Sequence, residues 1–248
     1  MPHQGEVPHR REFAVREDFD LIETLRWTRD SGFYLLAEHS ARLEHSAAAL
    51  DFRFAAADMR RALNGSVERA DADVLRVRLT LARDGAFAAS AAPVALPGPE
   101  AVWRVALAPA RFDSTDPLLR HKTTRRALYE DALTAAQREQ GADEVLFCNE
   151  RDELCEGARC NLFVADGDIL LTPPLACGLL PGVLRAHLLA SGRAREATLR
   201  RSDLTGRRGL FMGNSVRGLV AATLLATIAP ALKTPPSSFE TPLRGSSG

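Results

Sequence analysis

Apolar positions recur along this chain with two spacings, and the switches between them mark its elements. Residues 19–27, Phe-Asp-Leu-Ile-Glu-Thr-Leu-Arg-Trp, read as a strand. Arg29-Asp30-Ser31-Gly32 then turns the chain into Phe33-Tyr34-Leu35-Leu36, which predicts a hairpin. Residues 38–50 change to helical spacing, with Leu43, Ala47 and Leu50 on one face. Residues 55–63 predict a second helix, ended near Asn64-Gly65. Residues 74–81 alternate apolar and polar, as a half-exposed strand does, and Asp84-Gly85 turns them back into a strand over 87–92. A further strand is expected over 102–107. The first half therefore reads as an antiparallel sheet with two helices, an α+β layer structure.

The second half follows a stretch, Pro109 to Leu119, that is a linker by composition. The domain division expected is 1–110, a linker at 111–118, and 119–248. Arg120-His121-Lys122-Thr123-Thr124-Arg125-Arg126 enters a helical pattern through Ala127, Leu128, Ala132 and Leu133, with Lys122 at the join. Gly141 is a plausible stop for that helix. Strands are expected over 144–148, 154–156, 161–164 and 169–171, with turns at 149–152 and Asp166-Gly167. Gly182 opens a helix to about residue 190, and shorter strands are expected over 196–200, 210–212 and 219–224. Residues 1–18 and the Pro/Ser-rich tail from Pro235 read as loose ends.

Composition narrows the chemistry. With 248 residues there is one large domain or two small ones. Lys+Arg and Asp+Glu both number 32, so net charge gives no argument for nucleic acid. No apolar run approaches membrane-spanning length, and the first 20 residues are too charged for a signal peptide, so a cytoplasmic protein is expected. The four cysteines have no C-x-x-C spacing and are expected as reduced thiols without a metal. The chain has only two lysines, Lys122 and Lys233.

Lys122 is crowded by Arg120, His121, Arg125 and Arg126. Neighbouring positive charge disfavours protonation, and a neutral lysine amine can form a Schiff base with an aldehyde. Taken alone, the same run is an ordinary solvated helix start.

Three later motifs change that balance. They are Glu156-Gly157-Ala158-Arg159-Cys160-Asn161-Leu162-Phe163, then Thr172-Pro173-Pro174-Leu175 leading to Gly178-Leu179-Leu180-Pro181-Gly182-Val183-Leu184-Arg185, and Asn214-Ser215-Val216-Arg217-Gly218. In this order behind Lys122, they resemble the class IV, fold-type IV enzymes that use pyridoxal phosphate. These include branched-chain and D-amino-acid aminotransferases and 4-amino-4-deoxychorismate lyase, and His121-Lys122-Thr123-Thr124-Arg125-Arg126 looks most like the lyase. The resemblance implies an α+β or α/β two-domain fold of the D-amino-acid aminotransferase type. A small N-terminal antiparallel-sheet domain precedes a larger C-terminal, barrel-like sheet domain. It also implies a homodimer.

What the resemblance implies for residues follows the cofactor's needs: a lysine for its aldehyde, a partner for its ring nitrogen, and an anion site for its phosphate. Lys122 takes the first role and Glu156 the second, where Glu144, Glu150 and Glu153 compete by sequence alone. The phosphate falls to Gly182 and Val183 at a helix start, to Asn214 and Ser215, and to Arg42 in His39-Ser40-Ala41-Arg42-Leu43, which looks like the family's H-x-x-R-L. One position departs from the family: its aminotransferases usually carry a tyrosine five residues after the lysine, on the cofactor's ring oxygen. Here that position is Ala127, Tyr129 lies two further on, and Thr123, Thr124 and Arg126 are the candidates to replace the contact. The expected activity is 4-amino-4-deoxychorismate lyase, forming 4-aminobenzoate and pyruvate for folate synthesis. The alternatives are an amino-acid aminotransferase and a catalytically silent binding protein of the same fold. Arg26, Arg78, Arg120 and Arg159 are candidates, by type only, for the substrate's carboxylates.

Overall fold

In the computed structural model, residues 19–204 and 209–225 are described. The ends expected to be loose, and Lys233, lie outside these residues. The first sheet contains β1 (Leu21–Thr28), β2 (Gly32–Phe33), β3 (Val74–Leu81) and β4 (Phe87–Pro93), in the antiparallel order β2-β1-β3-β4. Between β2 and β3 come α1 (Leu36–Leu50) and α2 (Ala56–Val67). Leu21, Leu25, Val77, Leu79 and Leu81 point from one face of the sheet into a core with Leu43 and Ala47 of α1 and Met59 and Leu63 of α2. Burying these aliphatic side chains is the main force holding the helices on the sheet. The expected partner strand over 33–36 is cut to two residues, because Leu35 turns left-handed (φ 54°) and α1 starts at once.

The second sheet takes the other strands of the described residues: β5 (Val102–Phe112), β6 (Glu144–Asn149), β7 (Leu154–Gly157), β8 (Asn161–Asp166), β9 (Ile169–Thr172), β10 (Ala194–Glu196), β11 (Leu210–Asn214) and β12 (Gly218–Leu224). Its order is β10-β9-β8-β11-β12-β5-β6-β7, and β7 also pairs with β8. That last pairing closes a barrel, and it is made at one register pair, Glu156 opposite Asn161. β5 was expected with the first half. It runs parallel to both β6 and β12, so the change of sheet falls between Pro93 and Val102 and the boundary expected at residue 110 lies inside β5. Val105, Leu146, Leu154, Leu162 and Met212 fill one core of this sheet.

Two helices complete the second layer. α3 (Ala127–Gln140) packs Leu133 and Ala136 towards Val145 and Phe147 and ends at Gly141, whose φ of 61° suits a residue without Cβ. α4 (Val183–Ala190) packs Leu184 and Leu188 against Phe163. Lys122, expected at the join of loop and helix, lies five residues before α3, which starts at Ala127, and 196–200 is not a strand beyond Glu196. The four cysteines are free and buried. Among the described residues, no helix is long and apolar enough to cross a membrane, and no group of three or more His, Cys, Asp or Glu side chains could hold a metal.

Candidate active site

Lys122 lies where the two sheets meet. A short 3-10 helix, Pro117–Arg120, is capped by the Asp116 carboxylate, which accepts from Leu118 N–H at 2.8 Å. The chain then runs extended along the start of β1: Ile22 N–H donates to Lys122 O at 2.9 Å and Thr124 N–H to Asp20 O at 2.9 Å. The lysine backbone is thus held by the small sheet, while its side chain borders a cleft of about 460 Å³ walled largely by the barrel. Lys122 is half-buried by surface, since the cleft opens onto it.

Its acidity follows from that position. Burial pulls the amine from 10.5 down to about 7, with Arg126 and Arg42 adding repulsion and Glu23 and Glu156 opposing it. The cause is therefore chiefly desolvation rather than the basic run itself. Arg120 turns away to Leu179 O at 3.2 Å, and His121 Nδ1 bonds Ser46 Oγ at 2.9 Å.

Glu156 sits at the seam of the barrel and is buried. Tyr129 O–H donates to Oε1 at 3.1 Å and Asn161 Nδ2–H to Oε2 at 3.4 Å. Burial raises the carboxyl from 4.5 to about 7, against the hydrogen bonds of Leu180 N–H and Tyr129 and the charges of Lys122 and Arg126. Its rivals by sequence are used elsewhere. Glu144 is also buried, but its carboxylate accepts from the N–H groups of Val145, Ala158 and Arg159 at 3.0–3.1 Å and so pins the loop after Glu156. Glu150 and Glu153 form surface pairs with Arg151.

The opposite end suits an anion. Gly182 caps α4, whose first backbone N–H groups, Val183 and Leu184 among them, have no carbonyl of the helix to bond. A Cβ on Gly182 would overlap the Asn161 side-chain oxygen. Ser215 lies alongside. The Asn214 side chain is occupied within its own turn: Oδ1 accepts from Val216 and Arg217 N–H at 3.0 and 2.9 Å, and Nδ2 reaches Arg159 O and Cys160 Sγ, each at 3.2 Å.

Arg42 lines the cleft with its guanidinium spread over Glu23, Nε to Oε1 at 2.8 Å and Nη2 to Oε2 at 2.5 Å, and Nη1 reaches Pro181 O at 3.2 Å. Glu23 carries a second partner, His39. Burial would raise this carboxyl, but Arg42 and His39 hold it at about 2. Sequence reading missed Glu23 and His39. The signal was present: strand alternation puts Glu23 on the inward face with Leu21 and Leu25, where an acid needs a cation.

Of the arginines expected to meet substrate, Arg78 and Arg159 line the cleft. Arg26 instead lies over the Tyr34 ring at 4.4 Å, and Arg120 is spent on Leu179. Arg76, two residues before Arg78 on the same face of β3, and Arg217 in the β11–β12 turn line the cleft as well. The side chains of Arg76 and Arg78 form no ion pair or hydrogen bond with a described residue, so their guanidiniums are available to a ligand's carboxylates. Lys122, Glu156 and the α4 N-terminus together fit a pyridoxal phosphate: an amine of lowered basicity, a buried acid, and free N–H donors under a glycine that leaves no room for a side chain.

Comparison with known proteins gives the same direction. The family described as "Amino-transferase class IV" matches residues 20–225. A solved structure from Mesorhizobium loti titled "Putative amino-acid aminotransferase" is 46% identical, covers 84% of this chain and 100% of its own, and superposes with a TM-score of 0.80. A "hypothetical aminotransferase" from Mycobacterium tuberculosis, solved in an α-ketoglutarate and PMP bound form, is 26% identical over 90% of this chain and 87% of its own, with a TM-score of 0.71. The Schizosaccharomyces pombe protein named "Putative aminodeoxychorismate lyase" is 24% identical over 214 residues, 84% of this chain and 91% of that one.

Proposed function

The chain belongs to the class IV aminotransferase family of pyridoxal-phosphate enzymes, and from that premise we propose that it is a 4-amino-4-deoxychorismate lyase, releasing 4-aminobenzoate and pyruvate. Pyridoxal phosphate, when bound, supplies an aldehyde for the substrate amine and a protonated ring that accepts electrons. Lys122 would hold the cofactor's aldehyde and, once the substrate amine displaces it, would be free to serve as the base, its Nζ placed to take the proton from the carbon that bears that amine. An amine at about 7 is poised both to take and to return a proton near neutrality. Glu156 holds the proton on the ring nitrogen, its carboxylate kept in place by Tyr129 and Asn161. Gly182, Val183 and Ser215 would receive the phosphate, and Arg42, which lines the cleft in front of Glu23, would add positive charge. Arg76, Arg78 and Arg159 bind the two carboxylates of the substrate.

The observation that carries the choice of lyase is at the start of α3. Ala127 stands where the family's aminotransferases usually have a tyrosine, and the nearby Tyr129 hydroxyl is already committed to Glu156. A second reading, an amino-acid aminotransferase, is favoured by the likeness to the 46% identical Mesorhizobium loti protein. The deciding experiment gives the purified protein aminodeoxychorismate with no amino acceptor. Stoichiometric 4-aminobenzoate and pyruvate support the lyase. No product there, with amino transfer from an amino acid to a 2-oxo acid, overturns it in favour of the aminotransferase.

A further inference from the structure

The turn between β7 and β8 carries Arg159, and side chains rather than a strand ladder hold its backbone. The two strands pair at one position, Glu156 opposite Asn161, so the ladder ends before the turn. Gly157 N–H closes the turn on Cys160 O at 2.7 Å. The next two N–H groups meet the carboxylate of Glu144, which stands on β6 and is 1% exposed. Oε1 accepts from Ala158 at 3.0 Å and Oε2 from Arg159 at 3.1 Å, while Oε1 also accepts from Val145 N–H at 3.0 Å. A Cβ on Gly157 would stand 3.1 Å from Glu144 Cδ, so the carboxyl lies directly against the turn. From the other side, Asn214 Nδ2–H donates to Arg159 O at 3.2 Å. Both backbone groups of Arg159 are thus gripped by side chains of β6 and β11. Its own side chain is exposed, lines the cleft, and forms no ion pair or hydrogen bond with a described residue.

We propose that Glu144 is a positioning residue: its carboxylate, with Asn214 opposite, sets the direction from which Arg159 meets a substrate carboxylate. This rests on the reading above in which Arg159 binds one of the substrate's two carboxylates. A guanidinium grips a carboxylate with two parallel N–H donors, so its fork has to be aimed. On a loose turn, part of that gain would be lost in ordering a long side chain and the backbone that bears it. Glu144 does not reach the substrate itself and acts through the backbone of Arg159.

The test is a double-mutant cycle on the cofactor-loaded protein, with Glu144→Gln and Arg159→Ala. Glutamine keeps the shape but has one acceptor oxygen. It can serve Val145 and Ala158, or Arg159, and its NH₂ opposes the N–H left over. Arg159→Ala removes a charge-assisted contact and should raise KM for aminodeoxychorismate by about ten- to a hundredfold. Glu144→Gln should raise KM by about tenfold, with kcat and the absorbance of the bound cofactor unchanged, and should add nothing where Arg159 is already Ala. Charge alone predicts the opposite, since removing an anion beside Arg159 strengthens its pull on a carboxylate. A parental KM in Glu144→Gln, or losses that simply add in the double variant, overturns the proposal; a KM still raised by Arg159→Ala then leaves the substrate reading standing. An unchanged KM in Arg159→Ala overturns the placement of substrate at Arg159 and the proposal with it. Where the protein instead transfers an amino group, the lyase reading fails and the same cycle is read on the KM of the 2-oxo acid. Should Glu144→Gln fail to fold, Glu144→Asp keeps the charge, falls short of the turn by one methylene, and is read by the same cycle.

Discussion

Glu156 in the cleft and Glu23 behind the Arg42 that lines it are both buried acids, yet their carboxyls settle at about 7 and about 2. Burial raises both. What separates them is pairing. Glu23 has a two-toothed Arg42 and the ring of His39 in direct contact, while Glu156 has an amide, a hydroxyl and a backbone N–H, with its cations acting only through space. A buried charge that is fully matched serves the structure. One that is left short of a cation keeps its capacity for a ligand that brings one, which is what a protonated ring nitrogen would do. Lys122 shares the second condition, as a buried amine opposed by two arginines.

The comparison breaks most decisively at Lys122. Lys122→Ala should lower turnover by about 10⁴-fold or more, because it removes both the attachment point and the base. Borohydride reduction of the cofactor-loaded protein followed by peptide mapping should place the label on Lys122. A label on Lys233, or near-normal turnover in the variant, would sink the assignment.

Next in size is the matched acid. Glu23→Gln leaves the partly buried Arg42 and the buried His39 beside a neutral group and should destabilise the cofactor-free protein by about 2–4 kcal/mol. Glu156→Gln should cost little or raise stability at neutral pH, since it removes a carboxylate that folding holds in an unfavourable place. Urea unfolding of both variants measures the contrast. Equal losses would mean that the two acids do the same work.

Much of this architecture was legible in the chain, and the exceptions have physical causes. The paired strands of the small sheet, the α1 face and the Gly141 stop follow from local spacing, which backbone geometry enforces within a few residues. β5 was misplaced because a parallel pairing with strands 40 and 120 residues away leaves no local mark. Lys122 was expected at a helix entry because its basic run precedes helical spacing, but the backbone there bonds to β1, a contact between segments a hundred residues apart. Its shifted acidity was anticipated from neighbouring charges and arises chiefly from burial, which no one-dimensional pattern reports. Among the arginines, residue type said nothing of direction: Arg76 and Arg78 face the cleft, and Arg26, opposite Arg76 across β1 and β3, folds onto Tyr34.

The unmatched pair also sets a pH window. Folded Glu156 keeps its proton up to about 7 while the unfolded chain loses it near 4.5, so its contribution to stability is fully present below 4.5 and is lost as pH rises through 7. Lys122 runs the other way: folding lowers it from 10.5 to about 7, so stability lost below 7 is recovered as pH rises towards 10.5. Together they place a stability minimum near neutrality in the cofactor-free protein. The double variant Lys122→Met, Glu156→Gln should exceed the parent by about 2–4 kcal/mol there, with the gain shrinking on both sides. Chemical denaturation across that pH range provides the check, and a constant difference at all pH values would show that the pair does not titrate as a site.

The smallest effect should come from Tyr129. Its ring packs against the stacked Phe112 and Phe147 rings, with centroids 5.3 Å from each, and only its hydroxyl reaches Glu156. Tyr129→Phe keeps the ring and removes one hydrogen bond to a carboxylate, a loss of about 1–2 kcal/mol. That bond favours the ionised acid, so without it the Glu156 carboxyl should titrate still higher than about 7. The consequence has a direction as well as a size. Near neutral pH less of Glu156 is ionised, the ring nitrogen is held less firmly, and turnover should fall by about tenfold or less, with the loss growing as pH is lowered. A ¹³C titration of Glu156 beside the pH profile of turnover reads both quantities. A Glu156 titration unchanged from the parent would mean that the Tyr129 hydroxyl does not tune this acid. A turnover loss with no pH dependence would locate the effect in packing against Phe112 and Phe147 instead.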